Sequence, residues 1–186
     1  MANNLTSALI YIISALTTLY LIVLLLRFWL PWVGADFRNP VAQILLKLTS
    51  PLVIPVRRIV PSFGRLDTAT VLVAFIVQYL SLMLVLFILG RQPAPSYLLP
   101  AALLKLVTLS INIFMFAIII RIVLSWVAPH VYNAATALIA SLTDPVLRPF
   151  RRWIPPIGGI DISPVFAIIG LGALDILVTD LAALAF

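Results

Sequence analysis

The chain has 186 residues, 63% of them hydrophobic and 10% charged, with mean hydropathy +1.20 and formal net charge +6. Soluble domains carry roughly 25% charged residues, so this composition cannot supply a water-facing surface. Cysteine and glutamate are both missing, which excludes disulfide frameworks, thiolate metal sites and cysteine catalysis.

About 20 mainly apolar residues cross the roughly 30 Å of a bilayer's hydrocarbon. The first such run covers about residues 6–30 and ends near Arg27, Trp29 and Trp32. It lacks the basic n-region, short apolar stretch and small-residue site of a cleavable signal. The loop that follows carries Arg38, Lys47, Arg57, Arg58 and Arg65 against Asp36. Asn39 is placed to cap a helix with Pro40 at its first position, and Val41, Ile44, Leu45 and Leu48 form one apolar stripe over 41–48. That spacing predicts a short interfacial amphipathic helix, ended by Thr49-Ser50-Pro51 because a residue before proline avoids the α region. Pro51 and Pro55, four residues apart, are expected to hold the following chain extended or turned, with the arginine pair near the inner leaflet.

Asp67 opens a second span, about 68–89, which contains Gln78. After a connection whose only basic residue is Arg91 comes a third span, about 97–127, with Lys105, Asn112, Arg121 and Trp126. The second loop has Asn133, a weaker stripe over 135–142, Asp144, Pro145, Arg148, Pro149, Arg151, Arg152 and Trp153. His130, the single histidine, cannot make a metal site by itself. Asp161-Ile162-Ser163-Pro164 reads as a helix start. The fourth span, about 162–186, contains Gly170, Gly172, Asp175 and Asp180.

These elements are one unit written twice. Residues 27–79 align without a gap on 121–173, and Arg27, Trp32, Asn39, Thr49, Pro51, Pro55, Arg57, Arg58, Gly64 and Asp67 recur as Arg121, Trp126, Asn133, Thr143, Pro145, Pro149, Arg151, Arg152, Gly158 and Asp161. A fixed-period repeat of this kind marks a duplicated folding unit. The expected fold is an all-α membrane protein of four transmembrane helices, arranged as two tandem hairpins over 1–92 and 93–186 in the same orientation. Each hairpin has a loop with a short interfacial helix. The positive-inside rule puts both basic loops in the cytoplasm and both termini outside.

Three groups of residues are candidate sites. Arg57, Arg58, Arg148, Arg151 and Arg152, with Pro149, read either as anchors on anionic headgroups, about 1 kcal/mol each, or as a docking surface for a partner. Arg27–Asp67 and Arg121–Asp161 are expected as ion pairs, acting as a clamp on each hairpin or as a gate. Lys105, Asp175 and Asp180 lie inside spans, where charge is expensive, and align with Tyr11, Ser81 and Leu86 in the first unit. A Lys105–Asp180 bridge is the plainer account of two of them; Asp175 is read as an ion or proton site or a subunit contact. Gln78 and Asn112 are expected in interhelical hydrogen bonds, and the tryptophans in an interfacial belt. No nucleotide loop, Ser-His-Asp set or metal-ligand cluster is present, so neither an enzyme nor a cofactor is expected.

The string Arg121-Ile-Val-Leu-Ser-Trp126, Thr143-Asp-Pro-Val-Leu-Arg-Pro-Phe-Arg-Arg152 and Asp161-Ile-Ser-Pro164 resembles the YggT family over almost the whole chain. The first unit departs from that pattern at Pro31, Ser50, Ile54 and Thr70. The resemblance implies a bacterial inner-membrane protein whose relatives are linked to cell division, plastid nucleoid distribution, haem attachment, osmotic tolerance and potassium uptake. Those roles fit a small membrane scaffold or assembly factor; an ion permease or channel component is the alternative. The partners expected are the bilayer with its anionic inner-leaflet lipids, and other membrane proteins or further copies of the chain. No direct contact with nucleic acid is expected.

Overall fold

The computed structural model describes residues 4–64, 66–92, 95–128, 131–154 and 161–184. Arg65, His130, Pro155, Gly158 and Gly159 lie outside them. Apolar runs with no water to hydrogen-bond their backbone must satisfy it internally, and the four spans are accordingly helices: α1 (Asn4–Val33), α3 (Thr68–Ile88), α4 (Pro95–Val127) and α6 (Ser163–Leu184). Each is long and apolar enough to cross a membrane. Their outward faces present Leu16, Leu19, Leu80, Phe116, Ile169 and Leu177, all exposed, as lipid requires. Gly34 (φ 68°) and Gly90 (φ 69°) stop α1 and α3 in the left-handed conformation that glycine adopts freely. The N–H groups of Ala35 and Arg91 return to the carbonyls of Leu30 and Leu86.

The loops hold two further helices, α2 (Pro40–Arg57) and α5 (Ala134–Trp153), each about twice the length expected. Both run through their prolines, 51 and 55 in α2, 145 and 149 in α5. An interior proline removes one backbone hydrogen bond and costs about 3 kcal/mol. Here Pro51, Pro55, Pro145 and Pro149 all sit on the exposed side, away from the packed stripe. That stripe is Ala42, Leu45, Thr49 and Val53 in α2, and Leu142, Thr143 and Leu147 in α5, all buried. Burying a large aliphatic side chain stabilises by about 1.5–3 kcal/mol, so the packed stripe offsets much of the cost of the prolines. Side-chain hydroxyls bond within the same helix: Thr49 Oγ1 donates to the Leu45 carbonyl at 2.7 Å and Ser50 Oγ to that of Leu46 at 2.6 Å.

α1 packs against α3, and α4 against α6, giving two hairpins joined along α3 and α4. α2 is wedged between α1 and α3, α5 between α4 and α6, and α2 and α5 also touch each other. Both loop helices therefore lie at one end of the molecule, with Arg91 at the other. The main core crosses the repeat boundary: Leu21, Leu24 and Leu25 of α1 meet Val73 and Ala74 of α3, and Leu106, Phe114 and Ala117 of α4. Trp29 belongs to this core rather than to an interfacial belt. Its ring lies edge-on to Phe114, centroids 5.0 Å apart, while Trp126 and Trp153 are exposed.

Asn39 joins the two repeats directly. Its Oδ1 caps α2 by accepting from the Val41 N–H at 2.8 Å, and its Nδ2 donates to the Ala134 carbonyl at the start of α5, 2.7 Å away. Asn133 caps only its own helix, in a reciprocal box with Thr136. Asn39→Ala should cost about 1–2 kcal/mol, a cap plus one hydrogen bond, and Asn133→Ala the cap alone. Thermal unfolding in detergent should place the Asn39 variant lower.

Candidate functional site

At the loop end each hairpin encloses an arginine from its first long helix, and the two repeats treat it alike in one respect. Arg27 Nη1 donates to Thr49 Oγ1 at 2.7 Å, and Arg121 Nη1 to Thr143 Oγ1 at 2.6 Å. Both threonines are fully buried and donate in turn to a carbonyl of their own helix. This Arg–Thr lock pins the loop helix to the span. From sequence the threonines read only as helix ends; their recurrence in register with the arginines was the available signal.

The acidic partners differ between the repeats. Arg27, 4% exposed, has Nε 3.7 Å from Asp67 Oδ2, an ion pair without a hydrogen bond. The same oxygen takes Nη2 of Arg57. Asp67 also caps α3, its Oδ1 accepting from the Thr70 N–H and its Oδ2 from the Thr70 hydroxyl at 2.7 Å. In the second repeat the expected Arg121–Asp161 pair does not form. Arg121 instead pairs with Asp144 Oδ1 at 2.6 Å, and Asp161 with Arg151 Nε at 2.8 Å, while Arg151 Nη1 also reaches Asp144 at 3.3 Å. The reason is local. Asp144 stands one residue after the locking threonine, where the first repeat has Ser50, and reaches the guanidinium before Asp161 does.

The paired arginines are thus divided. The first of each pair, Arg57 or Arg151, turns inward to an aspartate. The second, Arg58 or Arg152, is exposed and makes no ion pair among the described residues, as is true of Arg148. Exposed apolar side chains follow two of these cations in the chain, Ile59 after Arg58 and Trp153 after Arg152.

Burial works to raise the Asp161 pKa, but hydrogen bonds from Ser163 and Arg151 and the Arg151 charge outweigh it, leaving the carboxyl below its ordinary value. A depressed folded-state pKa gives stability that is present above the unfolded carboxylate pKa and lost as pH falls towards the folded one. Wild type should therefore lose stability relative to Asp161→Asn as pH drops below about 4, with the difference constant near neutrality. Unfolding midpoints of both proteins from pH 7 to pH 3 measure this.

Deeper groups are arranged otherwise than the sequence suggests. Lys105 and Asp180 form no ion pair among the described residues; both are exposed. Lys105 lies on a polar cleft of about 420 Å³ with Thr17, Gln78, Thr108, Asn112 and Thr179, so Thr179 rather than its neighbour Asp180 faces α4. Asn112 gives its amide to the Thr108 carbonyl of its own helix at 2.9 Å, not to another helix. Asp175 sits on the packed face of α6, four residues after Leu171 and three before the buried Val178. Its Oδ1 is buried without a hydrogen-bond partner. Among the described residues no group of His, Cys, Asp or Glu could hold a metal ion.

The sequence pattern of the CCB3/YggT family matches residues 6–88 and again residues 100–182. The chain belongs to the CCB3/YggT family. A protein of Pseudomonas aeruginosa is 41% identical to it over 95% of this chain and 91% of its own length. YggT of Escherichia coli K12 is 33% identical over 94% of this chain and 90% of its own. The chloroplastic YlmG homolog protein 2 of Arabidopsis thaliana is 40% identical over 63 residues, a third of this chain. No solved structure matches the chain. The two family matches each take in one hairpin with its loop helix and Arg–Thr lock, so the CCB3/YggT unit is the hairpin, and this multi-pass membrane protein carries two.

Proposed function

We propose that the chain is a non-enzymatic scaffold or assembly factor of the bacterial inner membrane, docking a partner on its loop face. The observation that carries this is the division of the arginine pairs. Arg57 and Arg151 are used inside the protein, whereas Arg58, Arg148 and Arg152 are held outward on two helices locked to the spans. Rigidly presented, uncompensated guanidiniums beside exposed Ile59 and Trp153 suit an acidic protein surface seated at the inner leaflet, where fixed charge speeds association and sets register. With Lys47 and, among the described residues, all the arginines save Arg91 at or towards the loop end, the positive-inside rule supports a cytoplasmic loop face and periplasmic termini. The test is a photo-crosslinker at Trp153 in living cells, with and without Arg58→Glu, Arg148→Glu and Arg152→Glu together. The reading expects a discrete protein adduct that the triple variant loses while its unfolding midpoint is kept. A crosslink to lipid alone in both would refute it.

A second reading, an ion permease component, rests on the polar cleft around Lys105 and the unpartnered Asp175 Oδ1. It would require Asp175 to exchange with an ion or proton along α6.

A further inference from the structure

The two repeats build the same network with unequal charge. In the second, Arg121 and Arg151 face Asp144 and Asp161, two charges against two. In the first, Arg27 and Arg57 share Asp67 alone. Ser50 stands where Asp144 stands in the other repeat, and it offers Arg27 Nη1 only a long contact of 3.4 Å. The triad carries one positive charge in excess: Arg57 is partly exposed, while Arg27 is 4% exposed and its Nε has no hydrogen-bond partner. A buried guanidinium that must share its one counter-ion with a second arginine is only partly compensated. Arg27, Arg57 and Asp67 line a cleft of about 400 Å³ together with the exposed Phe37, Gly64 and Leu66. Gly64, at φ 61°, has open space where a Cβ would point.

We propose that this cleft binds a phosphate oxyanion, which supplies in trans the charge that Asp144 supplies within the second repeat, and that its source is the headgroup of an anionic phospholipid. Two guanidiniums lining one cleft, that of Arg57 partly exposed, are suited to phosphate oxygens. A phosphodiester carries a single negative charge, equal to the excess. The cleft lies where α1 ends, at the headgroup level, and its lining residues Phe37 and Leu66 are exposed apolar groups that acyl chains can cover. A zwitterionic headgroup fits less well, because its ammonium would sit against the same two arginines. The site is independent of the docking surface above, since it uses the inward-turned arginines and not Arg58, Arg148 or Arg152.

Native mass spectrometry of the full-length protein, titrated in detergent with phosphatidylglycerol, phosphatidylcholine or inorganic phosphate, tests it. Wild type should retain one phosphatidylglycerol with about tenfold preference over phosphatidylcholine, the scale of one charge-assisted contact. Ser50→Asp should abolish the preference by installing the missing carboxylate. Asp144→Ser should create the same excess in the second repeat and retain a second phosphatidylglycerol, a gain that stands even if Ser50→Asp fails to fold. Protection of wild type, but not of Ser50→Asp, by inorganic phosphate without any lipid preference would assign the site to the free ion. Equal retention of both lipids with no phosphate effect, or a preference that neither substitution alters, would overturn the proposal.

Discussion

Asp67→Asn should destabilise the protein by about 3–5 kcal/mol, the cost of leaving a buried charge without its partner. The carboxylate serves two arginines and a helix cap at once: Arg27, Arg57, and the N–H and hydroxyl of Thr70. Asn keeps the cap geometry but removes the charge, so the loss isolates the electrostatic part. The aligned change Asp161→Asn should cost no more than about 1 kcal/mol, since Asp161 and Arg151 are both exposed and such pairs contribute little. Exchanging the charges, Arg27→Asp with Asp67→Arg, should not rescue folding, because the new arginine would face Arg57. Unfolding midpoints in detergent, with the folded yield of each variant, check all three. Equal losses for Asp67→Asn and Asp161→Asn would show that the two networks are equivalent after all.

Leu147→Ala should cost about 2–5 kcal/mol, the range for emptying a buried leucine site. Leu147 is fully buried with Ile118 of α4 and Ala167 of α6, in a small cluster separate from the main core. It is the apolar peg that holds α5 in its groove, and α5 carries Arg148, Arg151 and Arg152. The loss should therefore be local: trypsin should cut at those arginines much sooner than in wild type, before the spans unfold. Leu24→Ala, in the core that crosses the repeats, should cost a similar amount but release the whole bundle together. Cleavage at α5 no faster than wild type would mean that the loop helix is held by the Arg–Thr lock alone.

The architecture was legible because its signals are long-range and redundant. Four apolar runs of span length, and a gapless repeat built from arginine, proline and aspartate, leave few alternatives, and the bounds of the four spans fall within a few residues of those read from the sequence. The misread features were decided by tertiary contacts. Prolines 51 and 55 signal a break locally, yet α2 continues because Thr49 and Val53 are buried against the spans. Trp29 has the composition of an interfacial anchor, but its ring packs on Phe114 of the other repeat. Arg121 was assigned to Asp161 because the two lie level at the ends of their spans, whereas the substitution of Asp144 for Ser50 already marked the repeats as unequal. The Lys105–Asp180 bridge failed because the direction each side chain takes around its helix was not readable.

Scaffold and permease make opposite demands on one experiment: potassium and proton flux into liposomes carrying the purified protein, with Asp175→Asn alongside. A scaffold whose work is done on the loop face predicts flux no greater than in protein-free liposomes for both proteins. Flux in wild type that Asp175→Asn abolishes would contradict the account and place the function in α6.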